Sequence, residues 1–402
     1  MARSKPNVPL MTLFFVLFVT SVGFGLVIPI LPLIAREFGA SAGMLGLMTA
    51  SYSAVQFLFA PVWGQVSDRT GRKKVLLLGI TGLALSFFFM GLARSFWMLF
   101  AARVLGGFLS SAAIPTAQAM AAELSDDDNR AKAMGLMGAA LGAGFIFGPL
   151  ISGVLIPLGF SVPFFTGGAM GLATVALSVR VLQEPPRRSA PDAGAAGARV
   201  AARASALSRL RLALSGPGKP YYLLAFFIMF SQGSHMTSLA YLLTDRFGAS
   251  PSQVSMAFAV TGVVAALFQG AAIGPITARL GEFPTLLAGL ALGAAAYVGL
   301  AASPALVLAV ACVALTSVSM AVTRPPATSL LSKVTELPQG ITMGVQSSFD
   351  SLGRVIGPLW AGYAYDLFPN LPFLTSALTL AGAWLYMRAQ GAALKSAETA
   401  QP

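Results

Sequence analysis

Five ionisable side chains stand inside stretches that are otherwise apolar: Arg103, His235, Arg324, Asp350 and Arg354. Charge at membrane depth is costly unless it faces a wet cavity or a partner, so each marks a candidate site. Asp350 is the one carboxylate placed deep in an apolar run, and Arg354 follows four residues on, on the same helical face and within ion-pair reach. A carboxylate tuned by desolvation and by a movable arginine is suited to exchanging a proton for a substrate. A permanent Asp350–Arg354 bridge is the structural alternative. Arg103 sits in Arg103-Val104-Leu105-Gly106-Gly107, in the middle of an apolar segment, where a structural pair or snorkelling is the plainer explanation. His235, the single histidine, is a second proton-handling candidate or a group that merely bonds a neighbouring helix.

Polar residues cluster by segment. Ser231, Gln232, His235 and Thr237 share one stretch, Thr316, Ser317, Thr323 and Arg324 another, and Gln346, Ser348, Asp350 and Arg354 a third. Gln56 and Ser110 add two more positions nearer the start. Groups of this kind are tolerated at membrane depth where they line a water-filled cavity. Phe57, Phe145, Phe230, Met236 and Phe349 lie near them, and with Gln56, Arg324 and Gln346 they form the candidate substrate cavity. Aromatic and methionine surfaces suit amphipathic or varied ligands, although most such residues simply pack or meet lipid.

Two glycine-bearing patterns complete the set. The first, Gly64-Gln65-Val66-Ser67-Asp68-Arg69-Thr70-Gly71-Arg72-Lys73-Lys74, lies between apolar runs ending at Trp63 and beginning at Val75. It reads as a tight turn, with Gly64 and Gly71 permitting close backbone and the basic residues holding it on the cytoplasmic side. The second runs Gly135, Gly144, Gly148, Pro149, Gly153. Gly144 and Gly148 share a face and let another backbone approach, and Pro149 removes a donor and can kink the helix. Ordinary small-residue packing is an adequate explanation of that spacing.

The elements that must hold these residues follow from composition. Of 402 residues, 56% are hydrophobic and only 10% charged, where a soluble domain carries about 25%. At about 20 residues per span, there is room for about twelve spans joined by short loops. The spans are expected near 8–34, 44–63, 75–93, 96–122, 133–156, 162–181, 221–244, 254–276, 285–302, 305–331, 341–363 and 371–387. The third, sixth, ninth and twelfth carry only scattered hydroxyls and are expected to face lipid. The fold class is therefore an all-α membrane protein of twelve transmembrane helices.

The formal charge of +12 is explained by placement rather than by nucleic acid. With both termini cytoplasmic, twenty Lys and Arg fall inside, and only Arg36, Arg94 and Arg246 outside. Arg3 and Lys5 precede a first segment long enough to span, with no small-residue cleavage site after it, so no cleaved leader is expected. Cys312 is the sole cysteine, which excludes an intramolecular disulfide. No nucleophile–base pair, metal cluster or phosphate loop supports an enzyme, and no cofactor or metal is expected.

At an offset of 209 or 210 residues the chain matches itself. Phe38-Gly39-Ala40-Ser41 recurs as Phe247-Gly248-Ala249-Ser250, and Gly64, Arg69, Gly71 as Gly274, Arg279, Gly281. Pro115 recurs as Pro325, and the glycine–proline pattern as Gly344, Gly353, Gly357, Pro358, Gly362. Ordered blocks at one offset indicate two pseudo-symmetric six-helix bundles in parallel repeat. The expected boundaries are 1–182 and 221–390 for the bundles, an Ala/Arg/Gly/Pro-rich cytoplasmic linker at 183–220, and a tail at 391–402. Within the linker, Val200–Leu214 has the look of a basic amphipathic helix lying on the membrane.

The turn pattern G-x3-D-R-x-G-R-K-K resembles the loop between spans two and three of the major facilitator superfamily. The Gly135–Gly153 spacing resembles the antiporter motif of its drug-efflux members, with Ser152 where they usually carry glycine. The resemblance covers both halves and is to the twelve-span drug–proton antiporter branch, which includes tetracycline and quinolone multidrug exporters. It implies alternating-access export of small amphipathic molecules or drugs, powered by the proton gradient, in a bacterial inner membrane. The implied partners are the transported molecule, protons and lipid, with the chain a monomer. It also implies that Asp68 and Arg72 form a charge relay gripping the cytoplasmic end of span 11, in a gating motif completed by Gly64, Arg69 and Gly71, and that Arg103 takes part in proton coupling.

The family's usual acids in spans 1, 7 and 10 are missing here, which puts coupling in doubt or moves it to Asp350. A dedicated metabolite or metal-chelator exporter, an uptake carrier or uniporter, and a non-transporting sensor or lipid flippase are the rival readings.

Overall fold

In the computed structural model the residues described are 8–125, 127–184, 215–335 and 337–399. The 200–214 segment, most of the expected linker and the end of the tail lie outside them. The described chain is helical throughout. The helices are α1 (Val8–Glu37), α2 (Ala42–Thr70), α3 (Arg72–Gly91), α4 (Phe96–Ser110), α5 (Ala113–Glu123), α6 (Asp127–Leu155) and α7 (Ser161–Val181). After the linker come α8 (Lys219–Phe247), α9 (Pro251–Leu267), α10 (Ile273–Leu280), α11 (Glu282–Ala302), α12 (Leu306–Val334), α13 (Gln339–Leu367) and α14 (Leu371–Thr399). A π-helical turn, Phe268–Ala272, joins α9 to α10.

Pairing α4 with α5, and α9 with α10, leaves twelve membrane-length segments among the described residues, as the hydropathy pattern requires. Nine of them are long and apolar enough to cross a bilayer by composition alone. The three that fall short are α8, α13 and α14. The first two are the polar segments singled out above.

Span 4 runs as one segment, Phe96–Glu123, whose helical hydrogen bonding is interrupted at Ser111–Ala112, where the Ser111 hydroxyl donates to Phe108 O at 2.8 Å. Pro115, four residues on, has no N–H to return to Ser111 O. One expectation is corrected: the charged stretch at 64–74 is not a loop. α2 continues to Thr70, and the turn is the single residue Gly71, at φ +110°. Gly64 is an ordinary helical residue with nothing within 4 Å of the place a Cβ would take.

Contacts divide the chain into two units, Met1–Arg188 with Leu243–Val263, and Ser189–Leu242 with Val264–Pro402. In the first, α1 packs along α6 and α7, and α3 along α4 and α7. Leu13, Leu17, Leu76, Ile80, Met120 and Met137 form its dry centre. In the second, α11 packs on α12 and α14. Ser319 Oγ donates to Gly289 O at 2.7 Å, across an interface where Gly289 and Gly293 let α12 approach. Without a hydrophobic drive between helices in lipid, such small-residue contacts and interhelical bonds are what hold them together.

The repeat has a local cause that the geometry exposes. Gly39 and Gly248 both close a helix at positive φ, +74° and +62°. Each is followed two residues on by a serine that opens the next helix. Ser41 Oγ accepts from Met44 N at 3.2 Å, and Ser250 Oγ from Gln253 N at 3.3 Å, with Gln253 Oε1 accepting from Ser250 N in return.

Candidate functional site

The second unit holds the intramembrane ion pair. Asp350 of α13 accepts from Arg324 Nη2 of α12 at 2.9 Å. Its side chain is 13% exposed against 43% for Arg324. Arg354, the partner suggested by helical spacing, is exposed and makes no ion pair with it. The i, i+4 register brings Arg354 onto the same face, but the neighbouring helix presents a guanidinium in better line. Pro325 and Pro326 follow Arg324 inside α12 and leave backbone carbonyls one turn earlier without their helical N–H partners.

Other cavity candidates separate by environment. Gln346 is buried and donates to Thr328 Oγ1 at 2.8 Å, tying α13 to α12. Phe349 is buried and stacks on Tyr222 at 5.8 Å between centroids, so its ring is committed to packing. Phe230 is half-buried, and its backbone lies against Gly357. Phe57 and Phe145 present about two-fifths of their surface.

His235 is 3% exposed. Its ring meets Tyr297 and Phe373 edge-on at 5.7 and 6.4 Å, and neither ring nitrogen has a hydrogen-bond partner. It borders a cavity of about 50 Å³ that Gln232, Met236, Tyr297, Ser317 and Thr323 also line. Tyr297 comes from α11, the ninth span, which the polarity pattern assigned to lipid. One tyrosine among apolar neighbours gave too weak a signal to place it.

In the first unit Arg103 is buried, with its guanidinium carbon 4.2 Å from the centre of the Tyr52 ring. Among the described residues no ion pair reaches it, and its Nε has no partner. The cation–π contact offsets part of the cost of burying that charge. Tyr52 is fixed in turn by Ser110 Oγ at 3.1 Å and by Gln56 Nε2, which donates to its hydroxyl at 3.3 Å. Three sequence candidates, Arg103, Gln56 and Ser110, thus converge on a tyrosine that sequence reading passed over.

The Gly71 joint is a clamp. Arg72 bonds Asp68 at 2.6 Å and Glu123 at 2.8 Å, and its Nη1 donates to Ser67 Oγ at 3.3 Å. Glu184 accepts from the backbone N–H groups of Arg72 and Lys73, the first two of α3, where helix-end donors are unmet. Lys73 Nζ donates to Val179 O at 2.9 Å. Asp68 itself is 61% exposed, and Arg69 is exposed beside it. Glu123 and Glu184 lie outside the motif and were not foreseen. Both are acids placed just past an apolar segment, the only signal that marked them.

The glycine pattern of α6 splits in two. A Cβ on Gly144 would fall 2.3 Å from Ser21 Cβ, and one on Gly148 2.5 Å from Gly25 Cα, so both are required where α6 meets α1. Gly153 meets α9, where Ser252 Oγ donates to its carbonyl at 3.0 Å. Gly135 has open space around it. The second unit repeats the close contact: Gly353 and Gly357 meet the backbone of Phe226 and Phe230, and Gly233 meets Pro358 as Gly25 meets Pro149.

Comparison with known proteins agrees with this architecture. The family model described as Major Facilitator Superfamily matches residues 13–230 and again 221–401. Multidrug resistance protein 1 of Bacillus subtilis is 30% identical over 381 residues, covering 94% of this chain and 95% of that protein. Quinolone resistance protein NorA of Staphylococcus aureus is 25% identical over 382 residues, with 94% and 95% covered. Among solved structures, a bacterial homolog of the human lysosomal transporter Spinster superposes with a TM-score of 0.78 at 18% identity, covering 96% of this chain and 97% of that one. The human organic anion transporter MFSD10 gives 0.67 at 24% identity, covering 96% and 100%. These two show likeness of fold.

Proposed function

The chain belongs to the Major Facilitator Superfamily, and from that premise we propose that it exports small amphipathic molecules or drugs by alternating access in exchange for protons. The observation that carries this is the Asp350–Arg324 pair at membrane depth, in a chain whose relatives include multidrug and quinolone resistance proteins. A carboxylate held by an arginine that is itself partly exposed has two states available. The guanidinium favours the charged form of the carboxylate, and that support is withdrawn when the arginine moves away. Substrate entering beside Arg324 or Asp350 would compete for the same partners and so couple the two fluxes. Arg103, buried on a tyrosine face with its Nε unpartnered, is a second fixed positive charge that an entering ligand would meet.

In this reading the protein is a multi-pass, monomeric transporter of a bacterial inner membrane with both termini cytoplasmic. Its bundles are residues 1–182 and 221–390, joined by the 183–220 linker. The Gly71 clamp holds Arg72, and Asp68 acts as the exposed half of a latch toward span 11 that releases when the cytoplasmic side opens.

The test is uptake of a fluorescent cationic drug into everted vesicles with an imposed pH gradient. Uptake into the vesicles that collapses with a protonophore supports the proposal; uptake indifferent to the gradient removes proton exchange. Asp68→Asn should sharply reduce the rate at normal protein levels, and full activity would remove the latch. Asp350→Asn should flatten the pH dependence, and an unchanged profile would discard Asp350 as the proton site.

A further inference from the structure

We propose that the cavity around His235 is a subsite for one neutral, hydrogen-bond-donating group of the transported molecule, a hydroxyl or phenol. The assignment deepens the export reading and rests on it for the word transported.

The cavity lies wholly among α8, α11, α12 and α14 of the second unit. At about 50 Å³ it exceeds the 10–15 Å³ or so that one water needs, yet is far below the size of a drug. It therefore takes a group, not a molecule. Its hydroxyls have already spent their donors. Thr316 and Ser317 donate to Val313 O, Ser319 to Gly289 O, Thr323 to Ser319 O, and Tyr297 to Ser231 O. Lone pairs are what these groups have left to offer. His235 adds two unpartnered ring nitrogens, and a neutral imidazole has one donor and one acceptor.

Leaving such a group unmet at 3% exposure is costly, so the site demands a polar occupant. No carboxylate or cationic side chain lines the cavity, so a charged occupant would be buried uncompensated. With the hydroxyls offering lone pairs, and the imidazole and the Gln232 amide each carrying a donor as well as an acceptor, an uncharged group that both donates and accepts, a hydroxyl, matches the cavity best. Met236, Met320 and Leu290 on the same wall give the apolar remainder of the ligand a soft surface.

The experiment measures binding of two fluorescent probes to the full chain in lipid nanodiscs. They are a lipophilic fluorophore with one phenolic hydroxyl and its methyl ether. The native protein should favour the phenol about fivefold, the worth of one hydrogen bond. His235→Phe should bring the ratio to about one, and His235→Gln, which keeps a donor and an acceptor, should retain most of it. Ser317→Ala, outside the aromatic cluster, should lower the preference without touching ring packing, and so serves if His235→Phe is not monodisperse. Equal affinities in the native protein, meaning a water-filled cavity only, would overturn the assignment. A preference that survives both His235→Phe and Ser317→Ala, or no binding of either probe, would do the same. Nanodisc binding with the expected pattern but no gradient-driven movement of either probe in vesicles would sink the export reading and leave the subsite standing.

Discussion

At the scale of single residues, the membrane-depth charges are held in two different ways. Asp350 has a guanidinium within 3 Å, whereas Arg103 has an aromatic face and, among the described residues, no ion pair. Removing one member of a buried ion pair leaves the other uncompensated. With Arg324 partly exposed, Arg324→Ala should cost roughly 3 kcal/mol, the low end for such pairs. Thermal unfolding in detergent reads this, and the double change Arg324→Leu with Asp350→Leu should recover most of it. For Arg103, Tyr52→Phe keeps the ring face and should stay within about 1 kcal/mol of the native protein. Tyr52→Leu removes the face and should cost about 2 kcal/mol. Equal losses in the two variants would mean that the hydroxyl network with Ser110 and Gln56, not the ring, supports Arg103.

At the scale of the element, one glycine motif contains positions of different necessity. A side chain at Gly357 would meet Phe230 O at 2.4 Å and at Gly148 would meet Gly25 at 2.5 Å, backbone that cannot step aside. Gly148→Ala and Gly357→Ala should each lose about 1–3 kcal/mol or fail to assemble. Gly135→Ala and Gly344→Ala, in open space at the start of the same two patterns, should be neutral or gain up to about 1 kcal/mol of helix propensity. Comparable losses at all four would remove the packing account. The motif's spacing was plain in sequence, but which of its glycines touches a neighbour was not. That depends on where α1 and α8 lie, and no local pattern records it. The same holds for Gly64, whose role as a turn residue disappears because α2 runs on to Thr70.

At the scale of the whole molecule, the test of topology is labelling. Cys312, the single cysteine, is buried and slow to label, and a Cys312→Ser background removes it. A cysteine placed at Ser95 should react with an impermeant maleimide in intact cells, and one at Lys74 only in everted vesicles. Reaction of both from the same side would invert the assignment of loops on which the export direction rests.

Much about this protein was set by order along the chain. Twelve membrane-length segments, the doubled pattern and the family follow from hydropathy, charge placement and glycine spacing, because each is a local or periodic property. The repeated Gly-Ala-Ser joint is a case in point: positive φ and a serine cap act within a few residues, so the letters alone specify it. Partnership was decided elsewhere. That Asp350 takes Arg324 and not Arg354, that Arg103 rests on Tyr52, that Glu123 and Glu184 close the Gly71 clamp, and that Tyr297 walls the His235 cavity all depend on helices distant in sequence. Each of those contacts turns on a rotation or shift of a few ångströms between packed helices, and only the folded bundle sets it.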